Sequence, residues 1–233
     1  MAKSSRSSTA CAISTCMPRF AIPCITTRRT RSSMPKSVIQ RVSVLADVAV
    51  QGRFGADKGP PGVTLSVRHP MSIVTIIARK DQSAALSKAI EAAYKCPLPG
   101  IGESTGKNSI SFHWCGPDQY YAIAQGKADG ELYRDVKAKL NGLASCSDQS
   151  HGRVILRIAG PKARALLAKG TPVDLHPSVF GPGKSAATQM AHVGVHLVQT
   201  ASDEFELSVF RGFAENFWEW LTEQAEEFGY QVL

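Results

Sequence analysis

Between Gly152 and Gln189 the chain reads GRVILRIAGPKARALLAKGTPVDLHPSVFGPGKSAATQ, and this stretch restricts the possible folds more than any other. A compact strand, Val154–Ile158, runs into Gly160-Pro161, and a short amphipathic helix follows from Pro161 to Lys169. Glycine permits a sharp bend, while proline fixes φ near the helical value and has no N–H to leave unpaired in a first helical turn. Ala163, Leu166 and Leu167 share one helix face at spacings of three and four, and Gly170 ends the helix. A strand folded back onto its own following helix is the unit that the rest of the chain must accommodate.

The flanking sequence predicts that this unit is used twice. Before it come strands at Thr64–Val67 and Ser72–Ala78, and a helix from an Asp81 N-cap through Leu86, Ile90 and Ala93 to Tyr94. A strand at Ser109–Cys115 turns at Gly116-Pro117-Asp118 into Tyr120–Ala124, and a helix from about Ala128 to Leu140 carries Leu132, Val136 and Leu140 on one stripe. After it come a strand beginning at Thr188–Met190 and continued or paired by Gly194–Gln199, then Phe205–Phe210 and a helix from Phe213 to Phe228. Phe213, Phe217, Trp220, Leu221 and Phe228 form that last helix's stripe, with Glu215, Glu219 and Glu226 on its wet face. Trp218 widens the arc, toward either a large core or a partner. The expectation is an α+β protein built as a tandem βαββα pseudo-repeat, near 63–142 and 150–233, with mixed or antiparallel sheets. It divides into a leader 1–33, an extended arm or linker 34–62, a first half 63–147 and a second half 148–233. An arm rich in glycine and proline is expected to lie across a neighbour.

The net charge of +8 concentrates in the leader, which holds Lys3, Arg6, Arg19, Arg28, Arg29 and Arg31 and no acid; the other 200 residues carry only +2. A nearly neutral body gives no electrostatic case for nucleic acid. Three readings fit the leader: a transit peptide, a disordered basic tail, or a start site set too early, with Met34-Pro35-Lys36 as the true beginning. The change of character at Met34 favours the third. Pro18, Arg19 and Pro23 interrupt any secretory apolar core, and no run approaches the ~18 apolar residues of a membrane span. The expectation is a soluble, cytoplasmic protein. Cys11, Cys16 and Cys24 fall in the leader; Cys96, Cys115 and Cys146 are far apart and odd in number, which argues for reduced thiols against a disulfide framework or zinc site.

No catalytic motif stands out. The loop PGIGESTGKN at 99–108 is not a phosphate loop: Ile101 stands where the first glycine belongs, and Asn108 follows Lys107 where serine or threonine is needed. It is read as a flexible loop. His113 and Cys115 share a strand face, His192 and His196 share another, and His176 precedes Pro177 in a turn; without a third partner in reach these are structural or surface groups. Arg153 and Arg157, on one face of one strand, are the best basic candidates for a ligand site, against an ordinary surface role.

Several segments together carry a family resemblance: Pro61-Gly62-Val63-Thr64-Leu65-Ser66, WCGPD at 114–118, LRIAGPKARALL at 156–167, Val173-Asp174-Leu175-His176-Pro177, and FELSVFRGFAENFWEWL at 205–221. In this order and spacing the body of the chain, 34–233, resembles the gamma subunits of heterotetrameric sarcosine oxidases, and WCGPD and AGPKARALL resemble the glycine-cleavage T-protein and folate-binding superfamily. The resemblance implies a folate-barrel-like fold of two related halves. It implies a complex with alpha, beta and delta subunits that oxidatively demethylates sarcosine to glycine and passes the one-carbon unit to tetrahydrofolate. FAD, FMN, NAD, tetrahydrofolate and zinc are then expected in the partner subunits, with no catalytic, cofactor-binding or metal residue in this chain. The competing expectation is a stand-alone folate-binding, aminomethyltransferase-like protein, with a central pocket carrying an acid and basic residues.

Overall fold

The computed structural model describes residues 41–56, 59–107 and 109–233, all within one compact unit, 40–233. The leader, its three cysteines and the Met34 start lie outside the described residues. In chain order the strands and helices are β1 (Gly52–Phe54), β2 (Val63–Arg68), β3 (Met71–Ala78), α1 (Ser83–Tyr94), β4 (Ser104–Lys107), β5 (Ile110–Gly116), β6 (Gln119–Gln125), α2 (Glu131–Lys139), β7 (Ala144–Asp148), β8 (Arg153–Ala159), α3 (Ala163–Ala168), β9 (Ser185–Met190), β10 (Val193–Ala201), β11 (Glu204–Phe210), α4 (Ala214–Ala225) and β12 (Tyr230–Val232).

These make a mixed α+β fold with two sheets. A seven-stranded sheet runs β1-β12-β2-β8-β11-β10-β9 and a five-stranded sheet β4-β5-β6-β3-β7. Pairing is antiparallel except between β12 and β2. Strand alternation sets the layers. Leu86 and Ile90 of α1 and Leu132 and Val136 of α2 pack on Val74, Ile76, Phe112 and Ala122, the outer face of the smaller sheet. Leu166 and Leu167 of α3 and Phe217, Trp218 and Leu221 of α4 pack on Leu65, Leu156, Ile158, Phe205 and Leu207 of the larger one. The opposite sheet faces meet through a small apolar cluster of Met71, Ile73, Tyr121, Ile123 and Ile155. Helices, sheet, sheet and helices thus stack as four layers, and the layer between the sheets is the polar one: His113, His196, Glu206 and Ser208 are all buried.

The turn at Gly160 takes φ 119°, and a Cβ there would stand 2.6 Å from the carbonyl oxygen of Gly62, so the close approach of β8 to the start of β2 requires glycine. Arg164 of α3 donates to the carbonyls of Leu175 and Phe180, tying the following loop to the helix.

Several expectations are corrected. Of the 34–62 arm, the described residues 41–56 and 59–62 pack on the chain's own body: Leu45 is fully buried in the larger core cluster, and β1 pairs with β12. Glycine and proline around it mask a single strong anchor. Leu45→Ala is therefore expected to cost about 2–5 kcal/mol, measured by chemical denaturation; a loss under about 0.5 kcal/mol would return the segment to the status of a linker. The loop 99–108 contains a real strand, β4, which pairs with β5 at the sheet edge. Asp81 is not an N-cap: it adopts φ 62° in the preceding turn, and Gln82 holds the cap position without a side-chain bond. Ala191 and His192, with φ 50° and 65°, close a two-residue hairpin between β9 and β10, so His192 is an exposed turn residue and shares no strand face with His196. Helix α4 is shorter than the 213–228 span, with 3-10 turns at both ends. Its buried stripe is Ala214, Phe217, Trp218, Leu221 and Ala225, so Trp218 belongs to the core while Phe213 is exposed.

Candidate functional site: two cavities astride a seam between the sheets

The seam begins where β4 and β9 start. The Ser104 N–H donates to the Gly183 carbonyl at 2.7 Å, and the Ser185 N–H donates to the Gly102 carbonyl at 2.8 Å. Lys184 Nζ pairs with Glu103 Oε1 at 3.0 Å across this reciprocal bridge. Gly102 and Gly183 both hold left-handed φ, 68° and 86°, which an L side chain would strain. The sequence behind the symmetry is a short motif written twice, Gly100-Ile101-Gly102-Glu103-Ser104 and Gly181-Pro182-Gly183-Lys184-Ser185. The first copy lies in the stretch read as a flexible loop from the sequence; the shared G-x-G-[E/K]-S was the available signal that the two stretches correspond.

Beyond the bridge, His113 of β5 and His196 of β10 stack with ring centroids 5.6 Å apart and planes 16° apart, and Tyr121 stands edge-on to His196 at 5.3 Å. The Trp114 carbonyl accepts from His196 Nε2 at 2.9 Å, so Nε2 carries the proton and Nδ1 keeps a free lone pair. Nδ1 of both rings is buried without a partner. Burial lowers the His113 pKa to about 3, helped by the neighbouring His196. Burial also lowers His196 to about 4, with the Trp114 bond acting against it and the Arg153 charge adding to it. Both rings are neutral at neutral pH.

A cavity opens on each side of this stack. The first, about 390 Å³, is lined by Cys115, Tyr121, Arg153, Thr188, His196 and Phe210 among others. The Arg153 guanidinium lies 4.0 Å from the Phe210 ring centroid and 4.9 Å from that of Tyr121. Burial pushes the Cys115 thiol up to about 11, so it is no ready nucleophile. The second cavity, about 580 Å³, includes Arg68, Lys107, Ser111, His113, Gln125 and Glu206. There Arg68 pairs closely with Glu206 and donates to Gln125 at 2.6 Å. Burial raises the Glu206 pKa even against the pull of Arg68.

Of the residues singled out in the sequence, the fold brings together His113, Cys115, His196 and Arg153. It separates the rest. Arg157 is tied to Glu204 at 2.5 Å, His176 bonds Ser178 in an exposed turn, and Cys96 and Cys146 are free thiols elsewhere. Among the described residues no group of three His, Cys, Asp or Glu side chains is arranged to hold a metal ion. The Arg68–Glu206 pair escaped sequence reading because its partners are far apart in the chain. Two neutral histidines, an unreactive thiol and two cation-bearing cavities can bind a polar molecule; they do not assemble a nucleophile with a base.

Against this geometry the comparisons are concordant. A model of the family described as "Sarcosine oxidase, gamma subunit family" matches residues 79–227. The sarcosine oxidase subunit gamma of Arthrobacter sp is 34% identical over 143 residues, 60% of this chain and 70% of the relative. That of Corynebacterium sp. (strain P-1) is 34% identical over 146 residues, 62% and 70%. Among solved structures, a chain of the heterotetrameric sarcosine oxidase from Corynebacterium sp. U-96 superposes with a TM-score of 0.69 at 27% identity, over 81% of this chain and 96% of that one. The glycine cleavage system aminomethyltransferase T from Bartonella henselae shares the fold, with a TM-score of 0.54 at 15% identity over 72% of this chain and 49% of that one. With a family match that runs from the residue after β3 through α4, well over half of the chain, the chain belongs to the sarcosine oxidase gamma subunit family.

Proposed function

We propose that this chain is a non-catalytic gamma subunit of a cytoplasmic heterotetrameric sarcosine oxidase, where it supports assembly with alpha, beta and delta subunits. The complex would demethylate sarcosine to glycine oxidatively and transfer the one-carbon unit to tetrahydrofolate, with FAD, FMN, NAD, tetrahydrofolate and zinc held by the partners. The observation that carries this reading is the likeness to a chain of the heterotetrameric enzyme over 96% of that chain's length. We further propose the finer architecture of two related, folate-barrel-like halves, 63–147 and 148–233, preceded by the 34–62 segment. It is supported by the succession strand, helix, three strands, helix, strand, which runs from β3 to β7 and again from β8 to β12. It is also supported by the matching strand orders β4-β5-β6-β3 and β9-β10-β11-β8. Strand β2 then crosses from the first half into the second half's sheet, between β8 and β12.

A second reading, a stand-alone folate-binding one-carbon protein, draws on the fold shared with aminomethyltransferase T. Affinity purification of the full chain from its native host separates them. The subunit reading expects a yellow complex with three further chains and sarcosine-dependent oxygen uptake. A colourless monomer that binds tetrahydrofolate would overturn it in favour of the second.

A further inference from the structure

The two cavities are built alike and charged differently. Arg153 faces Phe210 across β8 and β11 as Met71 faces Gln125 across β3 and β6. Tyr121 precedes Gln125 by four residues on β6, and Glu206 precedes Phe210 by four on β11. Where the second cavity has a carboxylate to neutralise its arginine, the first has the Tyr121 phenol. Among the described residues no Asp or Glu lines the first cavity. Arg153 has ring contacts on Phe210 and Tyr121 but makes no ion pair with an acid among the described residues, and its Nε is buried without a partner. A guanidinium clamped between two rings has its geometry fixed in advance for a planar, two-oxygen anion. His196, 3% exposed, lines the same cavity, and its Nδ1 is buried without a partner.

We propose that the cavity around Arg153 is a binding site for a small carboxylate with an adjacent N–H, the chemistry of a small α-amino acid. Arg153 takes the carboxylate, Phe210 and Tyr121 hold Arg153, and His196 accepts from the nitrogen. The same carboxylate-and-N–H chemistry has two sources, a free amino acid or the C-terminal residue of a partner subunit inserted on assembly. Neither the site nor its first test depends on the proposed assembly.

Titration calorimetry on the purified full chain tests it, with glycine and acetate as probes. The expected result is saturable glycine binding, weaker acetate binding, and at least a tenfold loss in Arg153→Met. Phe210→Leu, which keeps the charge and removes one shelf, is expected to lose severalfold, so the test survives if Arg153→Met fails to fold. Gln125→Met in the other cavity leaves glycine affinity unchanged. If the free chain binds neither probe but Arg153→Met and Phe210→Leu both reduce recovery of the other subunits, the carboxylate comes from a partner. Glycine binding that survives Arg153→Met, or no binding together with normal recovery in both variants, overturns the proposal.

Discussion

Lowering the pH from 7.5 to 5 is expected to destabilise this protein by about 4 kcal/mol through His113 and His196 alone, about 2 kcal/mol each. Both rings are nearly fully buried and stacked, and their folded pKa values, about 3 and about 4, lie below the ordinary histidine value of 6.5. The sign follows from linkage. The folded state holds the neutral rings, so the stabilisation is complete above about pH 6.5, where the unfolded chain is neutral too. Below that, the unfolded chain binds two protons that the folded chain refuses, and stability falls by roughly 1.4 kcal/mol per pH unit per ring. The depressed carboxyls of Asp129, Asp135 and Glu204 act at lower pH, which leaves the upper part of the window to the histidines. Urea denaturation at several pH values checks this in the wild type and in His113→Asn, His196→Asn and the double variant. Each single variant is expected to halve the slope between pH 6.5 and 5, whatever its absolute stability. A double variant with the wild-type slope would show that the rings are not the source.

Local features of this fold were readable where neighbours in the chain are neighbours in space. The strand-Gly-Pro-helix of 153–168, the Gly116-Pro117-Asp118 hairpin and the Leu132–Val136–Leu140 stripe depend on spacing and turn chemistry alone, and all three are present. Strand β4 was missed because four residues, STGK, carry no apolar alternation; its pairing comes from β5 and from the bridge to β9. Strand β12, three residues long, is held between β1 and β2, some 170 residues earlier in the chain. Leu45 reads as one apolar residue in a linker, and only the fold shows what it anchors. The site follows the same rule. His113, Cys115, His196 and Arg153 were each noticed in the sequence, but the stack of the two rings and the clamp on Arg153 need two sheets to meet. By strand alternation Glu206 falls on the face opposite Phe205 and Leu207, the face that a one-sided sheet would expose. In the fold both faces of β11 are covered, and the face with Glu206 becomes the layer between the sheets.

That covered face leads to the second large effect: Arg68→Ala is expected to cost about 3–5 kcal/mol at pH 7.5. Arg68 sits at the end of β2 and reaches Glu206 on β11, two strands away with β8 between them. Both side chains are mostly buried, so removing the cation leaves a carboxylate without its counter-charge in a low-dielectric layer. Replacing both partners with apolar groups, Arg68→Met with Glu206→Leu, removes the orphan charge and is expected to recover most of the loss, since buried pairs offset their own desolvation only in part. The pH dependence runs opposite to that of the histidines. The Glu206 pKa is already raised by burial, and it rises further without Arg68. A carboxyl with a raised folded pKa costs stability above that value, and the cost is relieved as pH falls through it. The deficit of Arg68→Ala relative to wild type is therefore expected to shrink between pH 7.5 and 5, while the histidines make both proteins less stable in absolute terms. Denaturation of the wild type, the single variant and the double variant at the two pH values separates the effects. A deficit that stays constant or grows toward acid would mean that Arg68 acts through its packing or its bond to Gln125, not through the charge on Glu206.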